Sequence, residues 1–468
     1  MSISSYMKKI FSVIGFACLG VFSYAGVNFE LDGLTFKPIE NESKCVITYP
    51  DQGVYTGNIE IPSIVNFGGE RLVVVGIDEY AFAGSTDVVG VRIPNTITSI
   101  GRNAFQGCTG LREILLPSSV KKLPDQLFYG CTSLLKFSGK GVMEIGVSCF
   151  SNCTSLSNPE FSNGVTSIGD GAFRNCRALT EMEFSNLNII GSSVFAGCSQ
   201  LKTVTLGDAI EIIPDHVFSG CMALTEIDGA SRATEVGDYA FYTCTSLVAF
   251  NFPNSIRRIG ENAFGFCETL KEAKILTESE ALIEDYAFSC CYGLEYVECE
   301  NVTEIGEEAF AKDSSLKTVI LDKAIKYING RAFRDCHNIE NFYCMAQEPP
   351  ITENNTFDNV TYDTAILKVR GDKVIQYRHS PPWSYFKKIT SVEDNGVSTH
   401  PLAVERLQLT VYDGALIVKG EPGLLRVFNL RGELIMEKEK GIEDIVLPML
   451  GKGIYLVSLN GETRKTVL

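Results

Sequence analysis

The sequence predicts a solenoid: a curved parallel β-sheet wound from short units, closed by β-rich caps and followed by a small C-terminal β-sandwich. Three observations predict it. Phe recurs every 22 to 24 residues, twelve times, at Phe82, Phe105, Phe128, Phe150, Phe173, Phe195, Phe218, Phe241, Phe264, Phe288, Phe310 and Phe333. Its neighbours recur with it, as in Ile100-Gly101-x-x-Ala104-Phe105-x-x-Cys108-x-x-Leu111-x-x-Ile114-x-Leu116-Pro117 and Ile259-Gly260-x-x-Ala263-Phe264-x-x-Cys267-x-x-Leu270. A Cys stands three residues after the Phe in ten of the twelve units. A fixed period of this length marks stacked units, each too small to bury its own apolar face without its neighbours.

In chain order, Lys8-Lys9, the apolar run 10–22 and Ser23-Tyr24-Ala25 form a basic start, an apolar stretch and a small-residue end. That is the pattern of a secretory signal peptide, residues 1–25, cleaved after Ala25. A membrane anchor is the rival reading, but the run is short for a spanning helix. A lipoprotein reading through Cys18 fits poorly, because Gly15 and Phe16 suit a lipid-attachment motif badly. No other stretch is long and apolar enough to span a bilayer, so the mature chain is expected to have no transmembrane span. Residues 26–76 alternate apolar and polar side chains, as in Ile59-Glu60-Ile61-Pro62, and are expected to form an N-terminal β cap.

The repeats run over 77–345. In the unit from Phe195 to Ile213, Leu201, Val204 and Leu206 point inward, Thr203 and Thr205 outward, and Gly207 turns the chain. Ile210 and Ile213, three apart, predict a loose helical or irregular return rather than a second strand. The Ala-Phe segment predicts a helical turn on the convex side. The Gly after Ile (Gly101, Gly146, Gly169, Gly191, Gly237, Gly260 and Gly306) is expected to adopt a backbone region closed to other residues, although Pro124 and Pro214 replace it in two units. About 12 strands at about 4.8 Å each give a sheet on the order of 50 Å long.

The recurring Cys is Cys108, Cys131, Cys153, Cys176, Cys198, Cys221, Cys244, Cys267, Cys291 and Cys336, with Ser85 and Asp313 in the other two units. In register with Phe and Leu, it reads first as a small buried hydrophobe. Disulfides and metal ligation are the alternatives, and a metal is disfavoured because a ladder spreads its ligands along a line. Of the remaining cysteines, Cys149, Cys299 and Cys344 read as core, whereas Cys290 and Cys45 are less constrained and are expected to be partly exposed.

These units resemble the BspA-type, or treponemal-type, bacterial leucine-rich repeats. The resemblance covers residues 77 to about 345 and implies a right-handed leucine-rich-repeat solenoid displayed on a bacterial surface, with adhesion to host proteins or other bacteria as its role. Asn158-Pro159-Glu160-Phe161 departs from the pattern by placing Pro at an inward strand position, which predicts a distorted strand.

Pro349-Pro350 ends the array, Asn355-Thr356-Phe357-Asp358 echoes one more unit, and residues 346–390 read as a closing cap with Trp383 in its core. A polar linker follows at 391–403. Residues 404–468 carry short strands with Gly turns: Leu407–Val411, Ala415–Lys419, Leu424–Asn429, Glu433–Met436, Ile445–Leu447 and Gly453–Leu459. The segment resembles the type A sorting domain of the type IX (Por) secretion system of Bacteroidota. The residues that carry this are Val427-Phe428-Asn429-Leu430-Arg431-Gly432, Leu447-Pro448-x-Leu450-x-x-Gly453-Ile454-Tyr455 and the end Arg464-Lys465-Thr466-Val467-Leu468. The resemblance implies engagement of the type IX machinery, export across the outer membrane, and attachment or release. A plain accessory β-sandwich is the alternative.

The chain has 41 basic and 57 acidic residues, net charge −16. Removing residues 1–25 takes Lys8 and Lys9 and no acid, leaving 39 against 57, net −18. That balance argues against nucleic acid and anionic membrane. The outward strand positions hold seven carboxylates, Glu160, Glu181, Glu183, Glu226, Asp228, Glu272 and Glu298, and an apolar-aromatic end of Tyr296, Ile320 and Tyr343. They form either a solvated face or an acidic recognition stripe with a hot spot at its end. The four His (His216, His337, His379, His400) show no metal-pair spacing, and no phosphate loop or strained nucleophile turn occurs. The expectation is therefore a non-enzymatic surface protein with no cofactor and no metal, binding a host or bacterial surface protein through the concave sheet. A glycan-binding module and a structural surface component are the alternatives.

Overall fold

The computed structural model describes residues 28–392 and seven strands between 408 and 467. The expected signal peptide and most of the linker lie outside these residues.

Three parallel backbone ladders run from coil to coil along the array, two of them with breaks. The concave ladder comes from strands such as Glu113–Leu115, Lys136–Gly139, Glu181–Glu183 and Thr203–Thr205, with Ile114, Phe137, Met182 and Val204 facing in. The return path is also a strand. Lys122–Leu123, Glu144–Ile145, Ser167–Ile168 and Ile189–Ile190 pair in parallel, one pair per coil. The three-residue spacing of Ile210 and Ile213 skips Glu211 and the exposed first residue of the two-residue strand Ile212–Ile213, so the irregular return expected there is corrected to a second β-ladder.

The convex arc contains β-turns and no helix. Within a coil, the Cys amide donates to the Phe carbonyl and the Leu amide to the Cys carbonyl, as in Cys198→Phe195 and Leu201→Cys198, both 3.0 Å. Between coils, the amides of Asn103, Phe105 and Gly107 donate to the carbonyls of Asp125, Leu127 and Tyr129, and this triplet recurs along the array. Two left-handed residues per coil aim these amides along the solenoid axis. One lies two before the Phe (Asn103, φ 58°; Tyr239, φ 56°) and one lies two after it (Gly107, φ 69°; Asn175, φ 60°).

The Ile-Gly glycines are therefore not the left-handed residues; that expectation is overturned. They are small because adjacent coils nearly touch there. A Cβ on Gly260 would stand 2.8 Å from the amide nitrogen of Asp238, and one on Gly169 2.8 Å from that of Val147. The same position holds Asp78, Pro124, Pro214, Glu284 and Asn329 in five other coils, so the close approach belongs to the glycine coils and is not a rule of the array.

The twelve Phe rings are fully buried and stack face to face, with centroids 4.9 to 5.7 Å apart. Phe357 extends the spine, 5.5 Å from Phe333, and Tyr55 covers its other end, 4.8 Å from Phe82. Beside the spine runs a line of thiols. All ten recurring cysteines are free and buried, and each Sγ donates to the carbonyl of the preceding coil's Phe at 2.9 to 3.3 Å. Cys290 and Cys45, expected to be partly exposed, are buried too.

Before the array, Phe29–Leu31, Leu34–Pro38, Lys44–Ile47, Glu70–Ile77 and Ile64–Phe67 form one sheet in that order, and Gly57–Glu60 starts the concave ladder. After it, Ile366–Arg370 and Lys388–Val392 close the sheet, and Trp383 is buried with its Nε1 donating to the Pro350 carbonyl at 3.0 Å. The concave ladder breaks twice. The strand after Pro159 shrinks to Glu160–Phe161 and does not pair onward, and no strand forms at 249–252. Pro159 removes a ladder donor, as expected of Pro inside a sheet. Among the described residues, no helix is long and apolar enough to cross a membrane.

In the C-terminal unit, Gln408–Tyr412, Ala415–Lys419 and Ile445–Leu447 form one antiparallel sheet. Leu434–Lys440, Gly423–Asn429, Ile454–Leu459 and Glu462–Val467 form a second, with Leu425, Val427 and Val457 buried.

Candidate functional site

The concave ladder sets the geometry of the acidic residues. Parallel register aligns Glu181, Thr203 and Glu226 in one row and Glu183, Thr205 and Asp228 in the next. The four carboxylates thus form a rectangle around two threonines. Residues two apart share one face of a strand. Those in the same row are two rungs apart, about 10 Å at about 4.8 Å per rung. That is roughly one Debye length at 0.1 M salt, so the like charges are largely screened from one another. All four are exposed, and among the described residues none of the four forms an ion pair.

The flanking acids are neutralised. Glu160 accepts from Ser138 Oγ at 3.1 Å and lies 3.7 Å from Lys140 Nζ, and Glu272 lies 2.6 Å from Lys274 Nζ. The expected apolar-aromatic end is not an open surface. Tyr296 is half-buried, and Glu298, Ile320 and Tyr343 are buried at 4%, 1% and 8% exposure. The sequence held the signal: Val319-Ile320-Leu321 and Phe342-Tyr343-Cys344 are consecutive apolar runs, the pattern of strands covered on both faces rather than one. Tyr343 also carries Lys368, whose Nζ donates to its hydroxyl at 2.9 Å and sits 4.7 Å from the ring centroid. Glu298 accepts from the Tyr296 hydroxyl at 3.1 Å.

One cluster escaped sequence analysis. His337 Nε2 lies 3.2 Å from Asp358 Oδ2 and 3.9 Å from Asp335 Oδ1. The three ligand atoms fall within 4.8 Å of one another, the only such set among the described residues. Helix and hairpin spacings miss it, but Asp335 and Asp358 are 23 residues apart, one coil, so the period itself stacks them. Asp358 already caps the helix Asn359–Thr364, accepting from the Thr361 amide at 2.9 Å and, through its other oxygen, from the Asp335 amide at 3.1 Å. The arrangement is thus a helix cap with an attached histidine.

Comparison with known proteins follows the same geometry. The BspA type leucine rich repeat region matches over residues 75–187, 138–248 and 234–362, more than half of the chain. The chain belongs to the BspA-type leucine-rich repeat family. A leucine-rich repeat protein from Bacteroides ovatus has the same fold, at TM-score 0.59 and 24% identity, covering 78% of this chain and all of the other. A leucine rich cell surface protein from Faecalibacterium prausnitzii aligns at TM-score 0.41 and 21% identity, over 79% of this chain and 96% of that one. The pneumococcal vaccine antigen PcpA aligns at TM-score 0.47 and 16% identity, over 79% and 99%. No curated protein sequence matches the chain.

Proposed function

We propose that this is a secreted, surface-attached solenoid that binds a basic patch on a host or bacterial surface protein through Glu181, Glu183, Glu226 and Asp228. The observation that carries the reading is the set of four exposed carboxylates on a pre-ordered sheet, none paired with a lysine or arginine among the described residues. A rigid sheet loses little conformational freedom on docking. Exposed charges of this kind chiefly steer encounter and set salt dependence. The N-terminal signal pattern and the sorting-type sequence of residues 404–468 support export and attachment at the outer membrane surface. The reading is tested by screening the secreted protein against an array of host matrix and bacterial surface proteins at low and high salt. A salt-sensitive protein ligand supports it; an empty array, or hits indifferent to salt, contradicts it.

A further inference from the structure

The convex arc carries aromatic side chains that the fold does not use. His216 stacks on Tyr239 at 5.0 Å and 11°, Tyr239 meets Tyr242 edge-on at 5.4 Å, and Tyr242 meets Phe266 edge-on at 5.6 Å. The four rings cross three consecutive coils. His216 is exposed and the other three are half-buried, whereas the spine rings of the same coils, Phe218, Phe241 and Phe264, are fully buried. The ridge is therefore outside the core.

Backbone demands do not explain it either. Phe266 occupies the left-handed position two after the spine Phe, at φ 61°. Seven other coils put Gly or Asn there, Gly84, Gly107, Gly130, Gly197, Gly220, Asn152 and Asn175, and four put Thr243, Cys290, Lys312 and Asp335. A bulky side chain is disfavoured in this region relative to Gly or Asn, so the coil backbone does not by itself select Phe here. The position of Tyr242 elsewhere holds Gln106, Tyr129, Ser151, Arg174, Ala196, Ser219 or Gly265, so the coil sets no rule for it. Polar groups border the rings. Glu261 Oε1 accepts from the Tyr239 hydroxyl at 2.9 Å and from Asn262 Nδ2 at 3.4 Å.

We propose that His216, Tyr239, Tyr242 and Phe266, with Glu261 and Asn262 at their edge, form a binding platform for a neutral oligosaccharide. A row of partly exposed aromatic rings offers apolar contact to sugar rings, one coil advancing about 4.8 Å along the row. The carboxylate and amide beside it offer acceptors to hydroxyl groups. Glu261 and the net charge of −16 disfavour acidic glycans. The platform lies on the convex arc and is independent of the concave carboxylates.

The test is calorimetric titration of the full chain with short neutral oligosaccharides of glucose, mannose, galactose and N-acetylglucosamine, with a heparin oligosaccharide and oligolysine as charged controls. At least one neutral series should bind. Tyr242→Ala and Phe266→Gly should each weaken it by about tenfold or more. Phe266→Gly should leave the melting temperature unchanged or higher, because Gly suits the left-handed backbone. Oligolysine binding should be the same in both variants. Absence of binding by every neutral series overturns the proposal. So does binding that both variants leave intact, or a ridge that responds only to the charged controls. If Phe266→Gly fails to fold, the ring is structural, and Tyr242→Ala alone decides whether a platform exists.

Discussion

At the residue scale, the thiol line shows how a minor group becomes structural by repetition. Each Cys fills a methyl-sized niche beside the Phe spine and donates to a carbonyl that would otherwise be buried without that partner. Burial pushes the Cys198 thiol up to about 12, and the Cys45 and Cys344 thiols up to about 11, from an ordinary 9.0. The sign follows directly. A folded pKa raised above the unfolded one favours the protonated fold, so this stability is fully present below about pH 9 and is lost as pH rises through 11 and 12. The melting temperature should hold between pH 7 and 8.5 and fall steeply above pH 10. The thiols should stay unreactive to a thiol reagent in the native protein and all react in denaturant. A native chain with few titratable thiols after denaturation would mean disulfides instead. Asp313 takes the thiol's place in one coil, where its Oδ1 accepts from the Cys291 amide at 2.8 Å and burial raises its carboxyl well above the usual range.

At the scale of the element, the coil was legible where its side chains repeat and illegible where only its backbone does. The Phe, Cys and Leu positions read directly from sequence because the core needs the same side chain every time. The left-handed position two before the Phe holds Asn103, Gln126, Ser148, His216 and Tyr239, so no residue type announces it. The return strand is two residues long, below what any periodicity can resolve. The two kinds of glycine separate cleanly by substitution. Gly107→Asn should cost little, about 0.5 kcal/mol or less, because Asn visits the left-handed region and stands at the matching place in Asn152 and Asn175. Gly260→Asn should cost about 1–3 kcal/mol although Asn329 stands at the matching place, because in this coil the Cβ would stand 2.8 Å from the Asp238 amide nitrogen. Urea titration of the two variants checks this, and equal losses would contradict the close-approach account. In the spine, Phe218→Ala should cost about 3–5 kcal/mol by the same measurement, since it empties a fully buried site between two stacked rings.

At the scale of the whole molecule, a solenoid's stability is a sum of coils and nearest-neighbour contacts. The concave surface inherits that regularity. Its acidic residues recur on alternate rungs, and the intervening Thr203 and Thr205 keep them apart. The exposed part of the site was readable from strand alternation between 181 and 228. Beyond 296 alternation failed, because those strands bury both faces and a two-residue rhythm no longer separates inside from outside. The proposed export role of the C-terminal unit predicts that deleting residues 404–468 leaves the protein inside the cell envelope, as surface protease accessibility would report. Unchanged display would remove the sorting role and leave the unit as an accessory domain.

The most direct measurement of the central claim is the salt dependence of ligand affinity for the full chain and for the Glu181→Lys/Glu226→Lys variant. Both residues are exposed on the sheet and outside the core, so the variant should melt like the parent. The account predicts that parent affinity falls as salt rises from low to physiological strength, and that the variant binds at least tenfold more weakly with a much shallower salt slope. A variant that binds as tightly as the parent, with the same slope, would contradict recognition by these carboxylates.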